Sequence, residues 1–342
     1  MASRARLLTL SAAAAAVVAL TVAGAASVWH GGGRAGDRDQ GERPGGPGVV
    51  AGTVTLAGHK QMIFRNMTWG PFRDDLVSVD AADPGGRRVA APVRCLRFHA
   101  AAGAGVCLRG ADDAVGESYV ASILDTGLKT LREFPLAGVP SRARMSPSGH
   151  LAAWTVFVGG DAYASSAFST RTSIVDTRTW TLTPNLESYR VIKDGRTYRA
   201  PDVNVWGVTF ADDRRFYATV ATKGRTYLVR GDVAARTLTT VRPNVECPSL
   251  SPDGTRLVFK KRVAGLSPDA PWRLYALDLR TMRETPLAES RSVDDQVVWA
   301  DGDRVLYGLA GDFGDDLWSV PADGTGAPAR VALAALNPAF VG

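Results

Sequence analysis

Histidine, lysine and cysteine are scarce in this chain, and each shortage closes off a kind of chemistry. The four histidines, His30, His59, His99 and His150, have neither i, i+4 spacing nor a cysteine pair beside them. A structural zinc site needs one or the other. Six lysines stand against 34 arginines, and a formal net charge of +6 is spread over 342 residues. Nucleic-acid binding needs a clustered basic footprint, and that balance is too mild to supply one. No Gly-x-Ser-x-Gly elbow and no Walker-type loop occurs. Beyond residue 49 no stretch sustains helical periodicity. These absences leave a non-enzymatic, all-β chain without an assigned cofactor as the expectation.

Turns and short strands are abundant. Ser251-Pro252-Asp253-Gly254 leads into the apolar run Leu257-Val258-Phe259, and weaker copies recur at Ser146-Pro147-Ser148-Gly149, Ala211-Asp212-Asp213-Arg214 and Ala300-Asp301-Gly302-Asp303. Proline pre-sets the turn, Asp bonds its own backbone, and Gly accepts a positive φ. After each turn come period-2 runs such as Arg273-Leu274-Tyr275-Ala276-Leu277-Asp278 and Asp316-Leu317-Trp318-Ser319-Val320, each followed by a second turn and strand. Two hairpins per unit make a four-stranded antiparallel sheet. Six units start near residues 49, 93, 140, 203, 244 and 293, which predicts a six-bladed β-propeller over 49–342. The final Asn337-Pro338-Ala339-Phe340 resembles Cys247-Pro248-Ser249-Leu250 at the start of a blade. The C-terminal segment is therefore expected to supply the innermost strand of blade one. Trp154, Trp299 and Trp318 occupy strand positions and read as core.

Residues 1–29 read as a targeting segment. Arg4 and Arg6 precede 23 uncharged, mostly apolar residues from Leu7 to Trp29, and Ala23-Gly24-Ala25 offers a cleavage site. The run also suffices to span a bilayer as a single anchor. Either way the propeller lies outside the cytoplasm, secreted or anchored to the membrane, as a monomer. Residues 30–48, with eight glycines and two prolines, read as a flexible tether. Of the three cysteines, Cys95 and Cys107 would face each other if their runs paired about residue 101. An oxidising exterior favours a disulfide there, against two buried free thiols as the other reading. Cys247 is left unpaired, as a small buried apolar residue.

The Ser-Pro-Asp-Gly turn followed by an apolar strand and an aromatic resembles the repeat of TolB-type β-propellers. Trp206-Gly207-Val208-Thr209-Phe210, Glu246-Cys247-Pro248-Ser249-Leu250 and Val293-Asp294-Asp295-Gln296 are similar to segments of actinobacterial TolB-like proteins with an N-terminal signal or anchor. The resemblance covers roughly residues 49–342. It implies an extracytoplasmic six-bladed scaffold that binds a protein or peptide partner at its central opening. Only the glycine-rich tether is expected before the propeller, where the Gram-negative members carry a separate α/β domain.

Candidate site residues follow from the turns. Residues just before each innermost strand should ring one mouth of the channel: Ser141 and Arg142, then Asp202, Asn204 and Trp206, then Asn244 and Glu246, then Asp294, Asp295 and Gln296. Such carboxylates and amides suit a hard cation such as Ca²⁺, an amine or a basic peptide; capping of backbone groups is the competing reading. Blades three and four carry long insertions. The second, at 185–201, holds Tyr189, Arg190, Tyr198 and Arg199, a composition typical of interfaces, and solvated loops are the alternative. A propeller hydrolase or lyase acting on carbohydrate or peptide is the alternative function, with Glu246 paired to Asp294 or Asp295.

Overall fold

The computed structural model describes residues 46–58, 60–112, 117–158 and 169–341. The expected targeting segment at 1–29, most of the tether, and all but Val158 of the blade-three insertion at 158–166 lie outside them. Within them the repeated turns behave as their residues dictate. Gly254 sits at φ 72°, and its N–H donates to the Ser251 carbonyl at 2.9 Å. Asp253 Oδ1 accepts from the Thr255 N–H at 3.0 Å, and hydrogen bonds from Ser251 and Thr255 hold its carboxyl down to about 2. In blade three, Gly149 adopts φ 76° and closes on Ser146 at 2.9 Å. In blade six, Asp301 Oδ1 takes the N–H groups of Asp303 and Arg304 at 2.7 and 2.8 Å.

Between the turns lie six sheets. Blade two is Arg97–Ala101, Ala104–Gly110, Tyr119–Leu124 and Thr130–Leu136. Blade three is Val139–Met145, Leu151–Val158, Ser169–Asp176 and Thr181–Thr183. Blade four starts at Asn204–Phe210, blade five at Glu246–Leu250 and blade six at Val298–Trp299. Blade one is completed by the other end of the chain. Ala335–Val341 pairs antiparallel with Gln61–Asn66, with Gln61 opposite Val341 and Asn66 opposite Ala335. Outside it, Val49–Ala51 adds a parallel edge strand against Arg88–Arg94. Each innermost strand touches the next around the ring. The fold is thus an all-β, six-bladed propeller closed by the C-terminal strand.

The apolar core is divided. Among the described residues six larger clusters each lie between two successive blades, and a small seventh joins Met67, Ala334 and Leu336 to Phe313. Leu76 and Ile63 of blade one meet Phe98 and Leu124 of blade two. Val106 and Ile123 meet Trp154 and Val175. Leu151 and Ile174 meet Val205 and Phe216. Leu228 meets Leu257 and Phe259, Val258 and Leu274 meet Val305 and Tyr307, and Leu306 and Leu317 meet Met62 and Phe64. The repeat is visible in one detail: the fourth residue of four second strands is the aromatic Phe64, Trp154, Phe259 or Tyr307, none more than 3% exposed. Burial of each such ring contributes about 1.5–3 kcal/mol. Trp299 is also buried and Trp318 is half-buried.

Two local expectations change. The segment read as a loop at 185–201 is folded. A 3₁₀ turn at Leu186–Ser188 precedes the strands Arg190–Lys193 and Arg196–Tyr198, joined across Asp194 and Gly195, both at positive φ. The first of these strands pairs parallel with Thr237–Pro243 and widens blade four to six strands. The Asp-Gly pair is a strong two-residue hairpin signal. The Cys95–Cys107 disulfide is present, with Cα atoms 5.3 Å apart, but its register is not the expected one. The hairpin turns at Ala102 and Gly103, so Cys107 faces Phe98. Cys95 precedes the strand and its N–H bonds the Asp74 carbonyl of blade one.

Removing residues 337–342 should lower the melting temperature by ~10 °C or more, because the strand carries Ala339 and Val341 into the core between blades one and two and packs Phe340 against the core between blades six and one. An unchanged melt would refute closure by this strand. Replacing both Cys95 and Cys107 by serine should cost about 2–3 kcal/mol in denaturant unfolding.

Candidate functional site

The six inner strands enclose a central channel, and its rim on the blade-five side is built around one lysine. Glu246 opens the blade-five inner strand and is 4% exposed. Its Oε1 accepts from Arg262 Nε at 3.2 Å and from Trp272 Nε1 at 3.3 Å. Its Oε2 lies 3.8 Å from Lys260 Nζ. Lys260 is itself buried, and its ammonium also bonds Asp294, whose side chain remains 59% exposed. The indole of Trp272 is flanked by both cations, with Lys260 Nζ 4.3 Å and Arg262 Cζ 4.7 Å from the ring centroid. The carboxylates expected to attract an amine or Ca²⁺ therefore face the protein's own cations. Among the described residues no group of three His, Cys, Asp or Glu side chains is placed to hold a metal ion.

From farther round the ring, blade three sends arginines across the channel to blade six. Arg142 Nη1 donates to the Ser141 carbonyl at 2.9 Å, and its Nη2 reaches the Asp294 carbonyl of blade six at 3.3 Å. Arg144 Nη2 donates to the Val297 carbonyl at 3.1 Å. Gln296 returns from blade six, its Nε2 donating to Val208 of blade four at 3.1 Å and Pro248 of blade five at 2.7 Å. Arg97 Nε of blade two bonds the Ser141 carbonyl at 2.6 Å. The space between Arg142, Arg144, Trp154, Val208 and Gln296 has no room for a water molecule.

The charges respond to this enclosure. Burial pushes Arg97 and Arg144 down to about 10, each only partly offset by Asp295. Arg142 is raised instead: burial opposes its charge, but Cys247, Asp295 and Asp294 outweigh it. Asp315 is pushed up by burial and by repulsion from Asp295. Asp295 Oδ1 accepts from the Gln296 N–H at 2.8 Å and its Oδ2 from the Gly308 N–H at 3.3 Å.

The structure thus gathers Arg142, Glu246, Asp294, Asp295 and Gln296 in one channel. The other expected residues serve the framework. Asp202 accepts from Thr222 Oγ1 at 2.8 Å and from the Lys223 N–H. Asn244 exchanges hydrogen bonds with the backbone of Arg262, at 3.0 and 3.1 Å. Asn204 accepts from the Thr170 N–H at 3.0 Å. Trp206 is buried on the blade-four inner strand. In the blade-four hairpin, Tyr189 is core with its hydroxyl 3.4 Å from the Val233 carbonyl, and Tyr198 shares a 3.0 Å hydrogen bond with Thr222. Arg190 and Arg199 are exposed. The sequence reasoning missed Arg97, Arg144, Lys260 and Asp315. Arg97 opens blade two, and Arg144 stands two residues from Arg142 on the same strand face, so alignment on strand starts contained that signal. Lys260 and Asp315 come from second and third strands and carry none.

His99, on the blade-two inner strand, accepts the Met145 N–H on Nδ1 at 3.1 Å, which requires a neutral ring. Burial, and secondarily Arg144, push its pKa well below the ordinary histidine range. The unfolded chain therefore takes up this proton near pH ~6.5 while the folded protein does not. Stability should be full above that pH and fall as the pH drops below it, by at most about 1.4 kcal/mol per pH unit. His99→Gln should flatten that slope in denaturant titrations at pH 5 to 7; an unaltered slope would assign the effect elsewhere.

No family model and no characterised protein matches the sequence. Solved structures do. TolB from Acinetobacter baumannii superposes with a TM-score of 0.57 at 16% identity, over 82% of this chain and 66% of that one. The chain thus spans slightly less than two thirds of that protein. A puromycin-hydrolyzing peptidase of Mycobacterium tuberculosis gives 0.47 at 15% identity, over 75% of this chain and 42% of that one. An oligogalacturonate lyase in complex with manganese gives 0.43 at 12% identity, over 73% and 74%. At such identities the likeness is one of fold, and the fold of this chain is that of a TolB-like six-bladed β-propeller.

Proposed function

We propose that the protein is a non-enzymatic, extracytoplasmic scaffold that binds a protein or peptide segment at the mouth of its central channel. One observation carries the reading: blades two, three, five and six converge charged side chains on one rim, with Asp294 exposed there while its neighbours are held. A rigid ring presenting polar groups at one opening is suited to orient a bound segment. The Cys95–Cys107 disulfide supports an oxidising compartment. Against a hydrolase stands the state of Glu246, whose two oxygens are engaged by Arg262, Trp272 and Lys260. A carboxylate used as acid or nucleophile needs a free oxygen facing substrate.

A photo-crosslinking residue at position 294, with a control at position 253 on the far turn, tests this on intact cells. Adducts from 294 and none from 253 are expected. Turnover of wall polysaccharides or peptides that disappears in Glu246→Gln would overturn the non-enzymatic reading.

A further inference from the structure

The channel's ion pairs are distributed unevenly. Glu246 and Asp294 share Lys260, with Arg262 on Glu246, and Asp74 takes Arg65 at 2.6 Å. Arg97 and Arg144 have no carboxylate within 4.0 Å among the described residues. Arg97 bonds only the main-chain carbonyls of Ser141 and Leu96. Arg144 is 7% exposed, makes one hydrogen bond to the Val297 carbonyl, and leaves its buried Nε without a partner. Between them Arg142 also leaves Nε unpartnered. Asp295 is the acid facing all three, and its oxygens are already taken by backbone N–H groups. Burying a guanidinium without a carboxylate is costly, and leaving a donor unmade adds to the cost.

We propose that Arg97, Arg142 and Arg144 form a carboxylate-binding site at the rim of the channel, and that the segment received there is an acidic peptide. The inference rests on the scaffold reading above and adds the partner's chemistry to it. In the free protein Arg97 and Arg144 rest on neutral carbonyls, and Arg142 adds to its carbonyls only a long contact of 4.0 Å with Asp294 Oδ1. No water fits between Arg142, Arg144 and Gln296 as they stand, so a carboxylate arriving at the rim draws the guanidiniums off those carbonyls and exchanges them for charge-assisted, fork-shaped hydrogen bonds, which are about twice as strong. The sign is opposite to the one the acidic residues alone suggest. Asp294 and Glu246 are balanced by Lys260 and Arg262, so a basic segment would meet those cations and three guanidiniums behind them.

Fluorescence anisotropy of the purified protein with fluorescein-labelled Gly-Glu-Gly-Glu-Gly-Glu-Gly amide, and with its lysine counterpart, tests the site. The glutamate peptide should bind at least tenfold more tightly than the lysine peptide. Arg144→Gln should weaken it tenfold or more, whereas Asp295→Asn, which removes the competing charge, should tighten it several-fold. Arg280→Glu, a charge reversal on an outlying turn, should change neither. If Arg144→Gln does not fold, Arg97→Gln and the gain in Asp295→Asn take its place. Equal weakening by Arg280→Glu would reduce the effect to diffuse surface charge and overturn the site. Tighter binding of the lysine peptide, lost in Asp294→Asn, would overturn the inference and keep the scaffold. Binding of neither peptide would overturn the inference, with crosslinking from position 294 deciding the scaffold separately.

Discussion

Everything in this molecule depends on two faces of each sheet needing cover. A four-stranded blade is apolar on both sides, and it can bury them only against the blade before and the blade after. Six such sheets leave two uncovered faces unless the last meets the first. Pairing of Ala335–Val341 with Gln61–Asn66 meets that requirement with backbone hydrogen bonds, which also remove two exposed sheet edges. Leu306 and Leu317 of blade six then pack against Met62 and Phe64 of blade one as in the other five interfaces. The ring is therefore a consequence of repetition, and the C-terminal strand is where repetition becomes closure.

That closure also decides what the channel is made of. Inner strands pack edge to edge around a narrow space, and the polar groups at their starts have few partners other than one another. Backbone carbonyls of Ser141, Val208, Pro248, Asp294 and Val297 turn toward this space and are met by Arg97, Arg142, Arg144 and Gln296. Buried polar groups need partners, and here long side chains from distant blades supply them.

Much of the fold was legible from local chemistry, because turns and alternation act within about ten residues. The positive φ of Gly149 and Gly254 and the Asp side-chain bonds of Asp253 and Asp301 were readable as such. The closing strand was legible because Asn337-Pro338 repeats Cys247-Pro248, and both Asn337 and Cys247 adopt positive φ at the inner rim. The site was legible in part. Position relative to a strand start pointed to Arg142, Glu246, Asp294 and Gln296, which the fold brings to the channel, but it could not say which partner each would find. Lys260, which decides the electrostatics of the acidic side, sits on a second strand whose alternation reads as ordinary sheet. Asp202 and Asn244 show the opposite failure: the same residue types at matching positions cap backbone groups instead.

The bonds that cross the channel have a mechanical meaning. A ring joined only between neighbours can flatten into an ellipse by small slips at each interface. Arg142 and Arg144 tie blade three to blade six, directly opposite, and Gln296 ties blade six to blades four and five. These ties act as spokes, stiffening the disc against distortion that neighbour packing alone would permit. Anything that exchanges a spoke for a bond to itself would alter the roundness of the whole wheel, and so be felt at its outer edge without any change in the blades between.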